Sequence, residues 1–180
     1  MLIDELKNIA RNNGIVGAGG AGFPAYAKMT EKADTVILNC VECEPLLKLH
    51  RQLLATHTEE IIQMLDEVRE SFGAKEAVIG IKSEYVTTIK AIEEVIGDFP
   101  NVRICALKAA YPMGDEVVLI YEATGRVIKP GGLPIDENVV VYNVETMYNL
   151  YRAVHLNIPV TNKLVSIVGE IDHPLTVRVP

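Results

Sequence analysis

The chain has 180 residues, 49% of them apolar and 23% charged, which suits one ordinary globular core and excludes a disordered or fibrous protein. A net charge of −7 and a pI near 5.1 leave nucleic acid no basic face to bind, although a few amides and a helix end can still attract a small anion. No apolar run approaches the ~20 residues that span a bilayer. The opening MLIDELKNIARNNG is acidic and amphipathic, unlike a secretory signal, so a cytoplasmic location is expected.

In chain order, Ile3, Leu6 and Ile9 recur at helical spacing over residues 3–12, with Asn12, Asn13 and Gly14 as a stop. A glycine-rich loop follows. TVILN at 35–39 is a short apolar run expected to form a buried parallel strand, and CVECEP hands over to a second helical region. Thr56 and Glu59 make a capping-box signature for a helix carrying Ile61, Ile62, Leu65, Val68 and Phe72 to a stop at Gly73. AVIGI at 77–81 is the next strand, and Ser83 is expected to start a helix that Gly97 ends.

VRICAL at 102–107 is a third strand, and VVLIYEAT a helix closed by Gly125. GRVIKPGGLPID crosses the surface, and VVVY at 139–142 is a fourth strand. Asn143 is placed to cap a helix presenting Met147, Leu150, Tyr151 and Val154. Strands alternating with helices predict an α/β fold, a mainly parallel sheet with helices on both faces. LVSIVG and LTVRVP, joined by Glu-Ile-Asp-His-Pro, read as two antiparallel strands of a separate small unit.

Ligands of such sheets bind beyond the carboxyl ends of the strands. Three polar clusters fall there: Asn39, Glu42 and Glu44; Tyr111, Gly114, Asp115 and Glu116; Asn143, Glu145 and Thr146. The loop GIVGAGGAGFPAYAK concentrates five of thirteen glycines in nine residues, the mark of backbone that turns unusually or lies close to a partner. GAGGAG formally satisfies the dinucleotide fingerprint, but a helix precedes it and Phe23-Pro24 follows, which is the wrong context for an ordinary dinucleotide fold. Cys40 and Cys43 form a C-x-x-C, the pattern of a dithiol oxidoreductase. With Cys105 the only other cysteine, neither a disulfide framework nor a cluster site is indicated. His50, His57, His155 and His173 lack metal-ligand spacing and are read as surface or core residues.

GAGGAGFP with Lys28, N-x-x-E-x-E-P at 39–45, YPMGDE at 111–116 and NVET at 143–146 together resemble the flavin-binding, NADH-oxidising subunit of respiratory complex I. NCVECEP and GGLP are closer to the C subunit of the Rnf electron-transport complex and to soluble reductases of the cobalamin reductase type. The resemblance implies a complex I FMN-binding-domain-like fold over residues 1–160, and in 161–180 the first strands of a ubiquitin-like, soluble-ligand-binding β-grasp domain. It implies noncovalent FMN as cofactor, NADH as substrate, and 4Fe–4S clusters only in a longer chain, reached through a downstream iron–sulfur domain or acceptor protein. Attachment to a membrane complex or enclosure in a microcompartment is compatible with it.

By the same resemblance, the FMN-binding set is Gly17, Gly19, Gly20, Lys28, Asn39, Glu42, Cys43, Gly114, Asp115, Asn143 and Thr146. Phe23, Glu44, Tyr111 and Glu116 would contact NADH. No side chain is expected to be catalytic, because the hydride goes to the flavin, and no metal ligand is expected. Five positions depart from the complex I pattern: Ala18 replaces an arginine, Val41 an aspartate, Tyr142 an asparagine, Asp115 a glutamate and Met29 an aromatic residue. The alternatives are a scaffold or docking module that has lost its flavin, and a dithiol oxidoreductase using Cys40 and Cys43.

Overall fold

Strand β1 (Thr35–Cys40) sends successive side chains into two separate cores, with Val36, Leu38 and Cys40 facing one way and Ile37 the other. Both sides being apolar, the strand reads as a continuous hydrophobic run instead of an alternating one. The computed structural model describes residues 1–180. In it, β1 lies inside a four-stranded sheet with β2 (Glu76–Lys82), β3 (Val102–Leu107) and β4 (Val139–Asn143), in the order β3-β2-β1-β4. All three pairings are parallel.

The expected α/β sheet with helices on both faces is what forms, with unequal cover. Helices α1 (Ile3–Asn12), α2 (Leu49–Thr56), α3 (Thr58–Phe72), α4 (Val86–Val95) and α6 (Val144–Leu156) contribute to a core of 31 buried residues on one face. On the other, α5 (Glu116–Thr124) packs Leu119, Ile120 and Ala123 into a core of 10. Gly73 and Gly125 end α3 and α5 in the left-handed conformation, with φ of 69° and 74°, as their places in the sequence predict.

Three helix boundaries differ from expectation, each because local hydrogen bonds go elsewhere. Thr56 and Glu59 do not form a capping box: Thr56 ends α2 and its hydroxyl donates to the Gln52 carbonyl, while Thr58 donates back to Leu54. Ser83 does not start α4, because its N–H donates to Leu107 and prolongs the sheet edge; the helix begins at Val86. Gly97 lies within a 3-10 turn, Ile96–Asp98, that continues past α4.

From β1 the chain steps through β2 to β3 on one side, then returns to place β4 on the other side of β1. That reversal opens a crevice between the carboxyl ends of β1 and β4. Strands β5 (Lys163–Ile167) and β6 (Leu175–Val179) form a separate antiparallel hairpin. Its attachment runs through Glu145, a buried residue of α6. The Glu145 carboxylate accepts the Leu164 N–H at 3.0 Å and pairs with the Lys163 ammonium.

Candidate functional site

Two asparagines mark the crevice. Asn39 is the penultimate residue of β1 and Asn143 closes β4, and the parallel register sets them side by side. Asn39 accepts the Val41 N–H at 2.9 Å and donates to the Gly114 carbonyl at 3.0 Å, tying the loop before α5 to the end of β1. Gly114 is required at that crossing, since a Cβ would run into the Val41 carbonyl and the Cys43 sulfur. Asn143 caps α6 by accepting the Glu145 N–H at 3.1 Å, and its Nδ2 lies 3.0 Å from Nε2 of His50 on α2.

The glycine loop closes over this end of the sheet. Its neck is a bridge between Val16 and Pro24, with the Gly17 N–H on the Phe23 carbonyl at 2.7 Å. Within it, Gly20 and Gly22 take φ of 122° and 63°, conformations that L side chains rarely adopt. The Ala18 N–H donates to the Thr146 hydroxyl at 2.9 Å, so the loop is lashed to the first turn of α6. The N–H groups of Gly19, Gly20, Ala21 and Gly22 have no partner within the chain.

Loop and sheet together enclose a cavity of about 280 Å³ lined by Gly17, Gly19, Ala21, Phe23, Lys28, Asn39, Glu116, Asn143 and Thr146, among others. A second cavity of about 570 Å³ adjoins it, sharing Phe23, Lys28, Glu116 and Val141 and adding an apolar wall of Leu133, Pro134 and Ile135. Lys28 stands at their common boundary, with Nζ 3.4 Å from both Glu116 Oε1 and the Val141 carbonyl. A half-exposed cation, a carboxylate and unpaired amides beside apolar walls suit a planar ligand bearing an anionic tail.

Of the residues singled out in the sequence, Gly17, Gly19, Lys28, Asn39, Asn143, Thr146, Phe23 and Glu116 line the first cavity. The others stand around it in different ways. Gly20 is at the exposed tip of the loop. Cys43 and Gly114 press against each other behind Asn39, and Asp115 caps α5 by accepting the Val117 and Val118 N–H groups. Glu42 is buried and turned into α2, where it accepts the His50 N–H at 2.9 Å and lies 3.9 Å from Arg51. Burial raises its carboxyl above the ordinary value against these opposing contacts. Glu44 and Tyr111 are exposed and line neither cavity.

The dithiol reading is corrected by burial. Cys40 is fully enclosed in the larger core, and desolvation pushes its thiol far above the ordinary range, so the thiolate that exchange chemistry needs is suppressed. Three of the five departures from the complex I pattern also prove to be buried: Val41, Met29 and Tyr142. The Tyr142 hydroxyl donates to the Ala25 carbonyl at 3.5 Å, just beyond the glycine loop. Sequence reasoning missed His50, which comes from a different element and carries no motif. It also missed the wall at 133–135, which it read as a surface crossing and, in GGLP, as a mark of resemblance, but gave no part in binding.

Residues 10–152 match the family model described as the Nuo51 FMN-binding domain. The chain belongs to this family. The Nuo51-type domain is similar to the cobalamin reductase PduS of Salmonella typhimurium strain LT2, at 40% identity over 98% of this chain and 39% of that protein. It is also similar to the C subunit of the Na(+)-translocating ferredoxin:NAD(+) oxidoreductase complex of Acetobacterium woodii, at 33% identity over 98% of this chain and 41% of that protein. Among solved structures, the NAD+-reducing NiFe hydrogenase in its H2-reduced state shares the fold, with a TM-score of 0.81 at 23% identity over 99% of this chain and 37% of that one. The Nuo51-type domain thus spans about two fifths of the length of the curated relatives it matches.

Proposed function

We propose that the crevice binds FMN and that the chain is the flavin-bearing, NADH-oxidising module of a longer electron-transfer protein. The observation that carries this reading is the convergence of Asn39, Asn143, Thr146 and Lys28 with the glycine loop at the reversal point of the sheet. The residues fit the group. Positive-φ glycines bring bare backbone close, the partnerless N–H groups of 19–22 and the Lys28 ammonium can offset a phosphate, and the asparagines and Thr146 offer hydrogen bonds to ring-edge or ribityl oxygens. Cys43, Gly114 and Asp115 would act from behind, by holding Asn39 and the loop before α5 in place, and Glu42 by anchoring the start of α2.

When bound, FMN supplies two-electron acceptance from a hydride and one-electron release. The chain's part is to hold and shield it. Phe23, half-exposed between the two cavities, offers a ring face to a nicotinamide or adenine, and the second cavity has the room and the apolar wall for it. Glu116 borders both cavities and suits a ribose hydroxyl; Glu44 and Tyr111 are placed to reach NADH only from outside. Onward transfer would go to an iron–sulfur domain or acceptor protein outside this chain, with residues 161–180 as the opening of a ubiquitin-like unit between them. No helix is long and apolar enough to cross a membrane.

Titration of the purified chain with FMN tests the cofactor: quenching of flavin fluorescence with one-to-one stoichiometry is expected, and unchanged emission at micromolar protein would refute it. Anaerobic addition of NADH to the loaded protein then tests the donor. Bleaching of the visible flavin band supports NADH; a flavin that stays oxidised refutes that part alone.

A further inference from the structure

We infer that His50 is a positioning residue, an acceptor on α2 that fixes which end of the Asn143 amide faces the crevice. The inference rests on the FMN reading for its consequence, and on the hydrogen-bond network for its geometry. Asn143 Oδ1 receives the Glu145 N–H at 3.1 Å, and only an oxygen can do so. Nδ2 is therefore the atom 3.0 Å from His50 Nε2. An amide nitrogen only donates, so Nε2 must be the unprotonated nitrogen of a neutral imidazole whose proton is on Nδ1.

One Nδ2 hydrogen is then committed to His50 and the other is free on the side of Gly19, whose Cβ position would lie 3.6 Å from Nδ2. A ligand at this corner meets a donor, which selects an oxygen or ring-nitrogen acceptor. An imidazolium would put N–H against N–H and favour the flipped amide, at the expense of the α6 cap and of that donor.

The surroundings keep the ring neutral. His50 is lodged between α2, α6 and β5, and burial first, then the Lys163 ammonium, hold it down to about 4. The charged groups around it are Lys163 on β5, Glu145 on α6, which is itself bound to Lys163, and Glu42, which takes the His50 backbone N–H.

The test compares wild type, His50→Gln and His50→Leu by FMN titration, with nitrogen-15 NMR of the His50 ring in the FMN-free chain. Glutamine restores an acceptor oxygen, so H50Q should stay within about threefold of wild-type affinity, while H50L should weaken FMN by about tenfold, the equivalent of one hydrogen bond. The ring should show an unprotonated Nε2 from pH 8 down to 5, reverting to the usual Nε2–H tautomer in Asn143→Leu. H50L binding FMN as tightly as wild type, or H50Q as weakly as H50L, would overturn the inference, as would an Nε2–H tautomer in wild type. If wild type binds no FMN, the cofactor reading fails and the NMR result alone decides the role of His50.

Discussion

Asn39 and Asn143 stand directly opposite one another on adjacent parallel strands, and no other strand pair in the sheet is joined where the chain order reverses. Each uses its amide to fasten something else: Asn39 the loop before α5, Asn143 the first turn of α6. The walls of the crevice are thus set by the strands themselves. Rigid elements hold a site more exactly than loops do.

Asn143→Asp separates capping from recognition. Aspartate caps a helix as well as asparagine does, but it replaces a donor with an anion facing the crevice. Thermal melting should shift by no more than a few degrees while FMN affinity falls at least tenfold, read by fluorescence titration; equal affinity would show that the Nδ2 donor does not matter.

Gly114→Ala forces a methyl into the Val41 carbonyl and the Cys43 sulfur. Overpacking of this kind costs about 1–3 kcal/mol, which urea denaturation would record. The Asn39 bond to the residue 114 carbonyl should be strained in the same step, so flavin affinity is expected to drop together with stability.

Lys28→Met removes the one ammonium that lines both cavities. Its pair with Glu116 is 3.4 Å long and partly exposed on both sides, so stability should change by less than about 1 kcal/mol. FMN binding should weaken about tenfold and lose part of its salt dependence, measured by titration at low and high ionic strength.

Glu145→Ala cuts both bonds that tie the hairpin to α6. The Leu164 N–H loses its acceptor, at a local cost of about 1–3 kcal/mol. Hydrogen exchange should quicken across residues 163–179 while the amides of β1 and β2 stay protected; uniform protection would place the hairpin's anchor elsewhere.

Stability should also depend on pH through His50. Its folded value, about 4, lies below the ordinary 6.5, so between these pH values the unfolded chain binds a proton that the folded chain does not. Stability is full above pH 6.5 and declines as the pH falls toward 4, by up to about 3 kcal/mol. His50→Gln should flatten that slope in urea midpoints measured from pH 7 to 4.5.

The sheet was legible in the sequence because each buried strand is a short run of β-branched and aliphatic residues between polar signals, as in TVILN and VVVY. Gly73, Gly125 and Asn143 also kept the local roles that their backbone chemistry dictates. The Thr56 cap failed because a hydroxyl can equally bond backward into its own helix, a choice that spacing does not encode. The crevice was legible where glycines crowd a loop and polar residues gather at the carboxyl ends of strands and the helix starts that follow, as at Gly19, Asn39 and Thr146. His50 was not, since a histidine 93 positions from its partner has no local signature. Glu42 looked like a crevice residue by position, yet the backbone after β1 turns its carboxylate into α2.

The first turn of α6 has one further consequence. Residues 143 and 146 border the flavin crevice proposed above, and residue 145 between them grips the hairpin. A single rigid bearing therefore serves both sides. Anything seated on the hairpin inherits a fixed separation from the crevice, and a tug on one is transmitted to the other without any loop to absorb it.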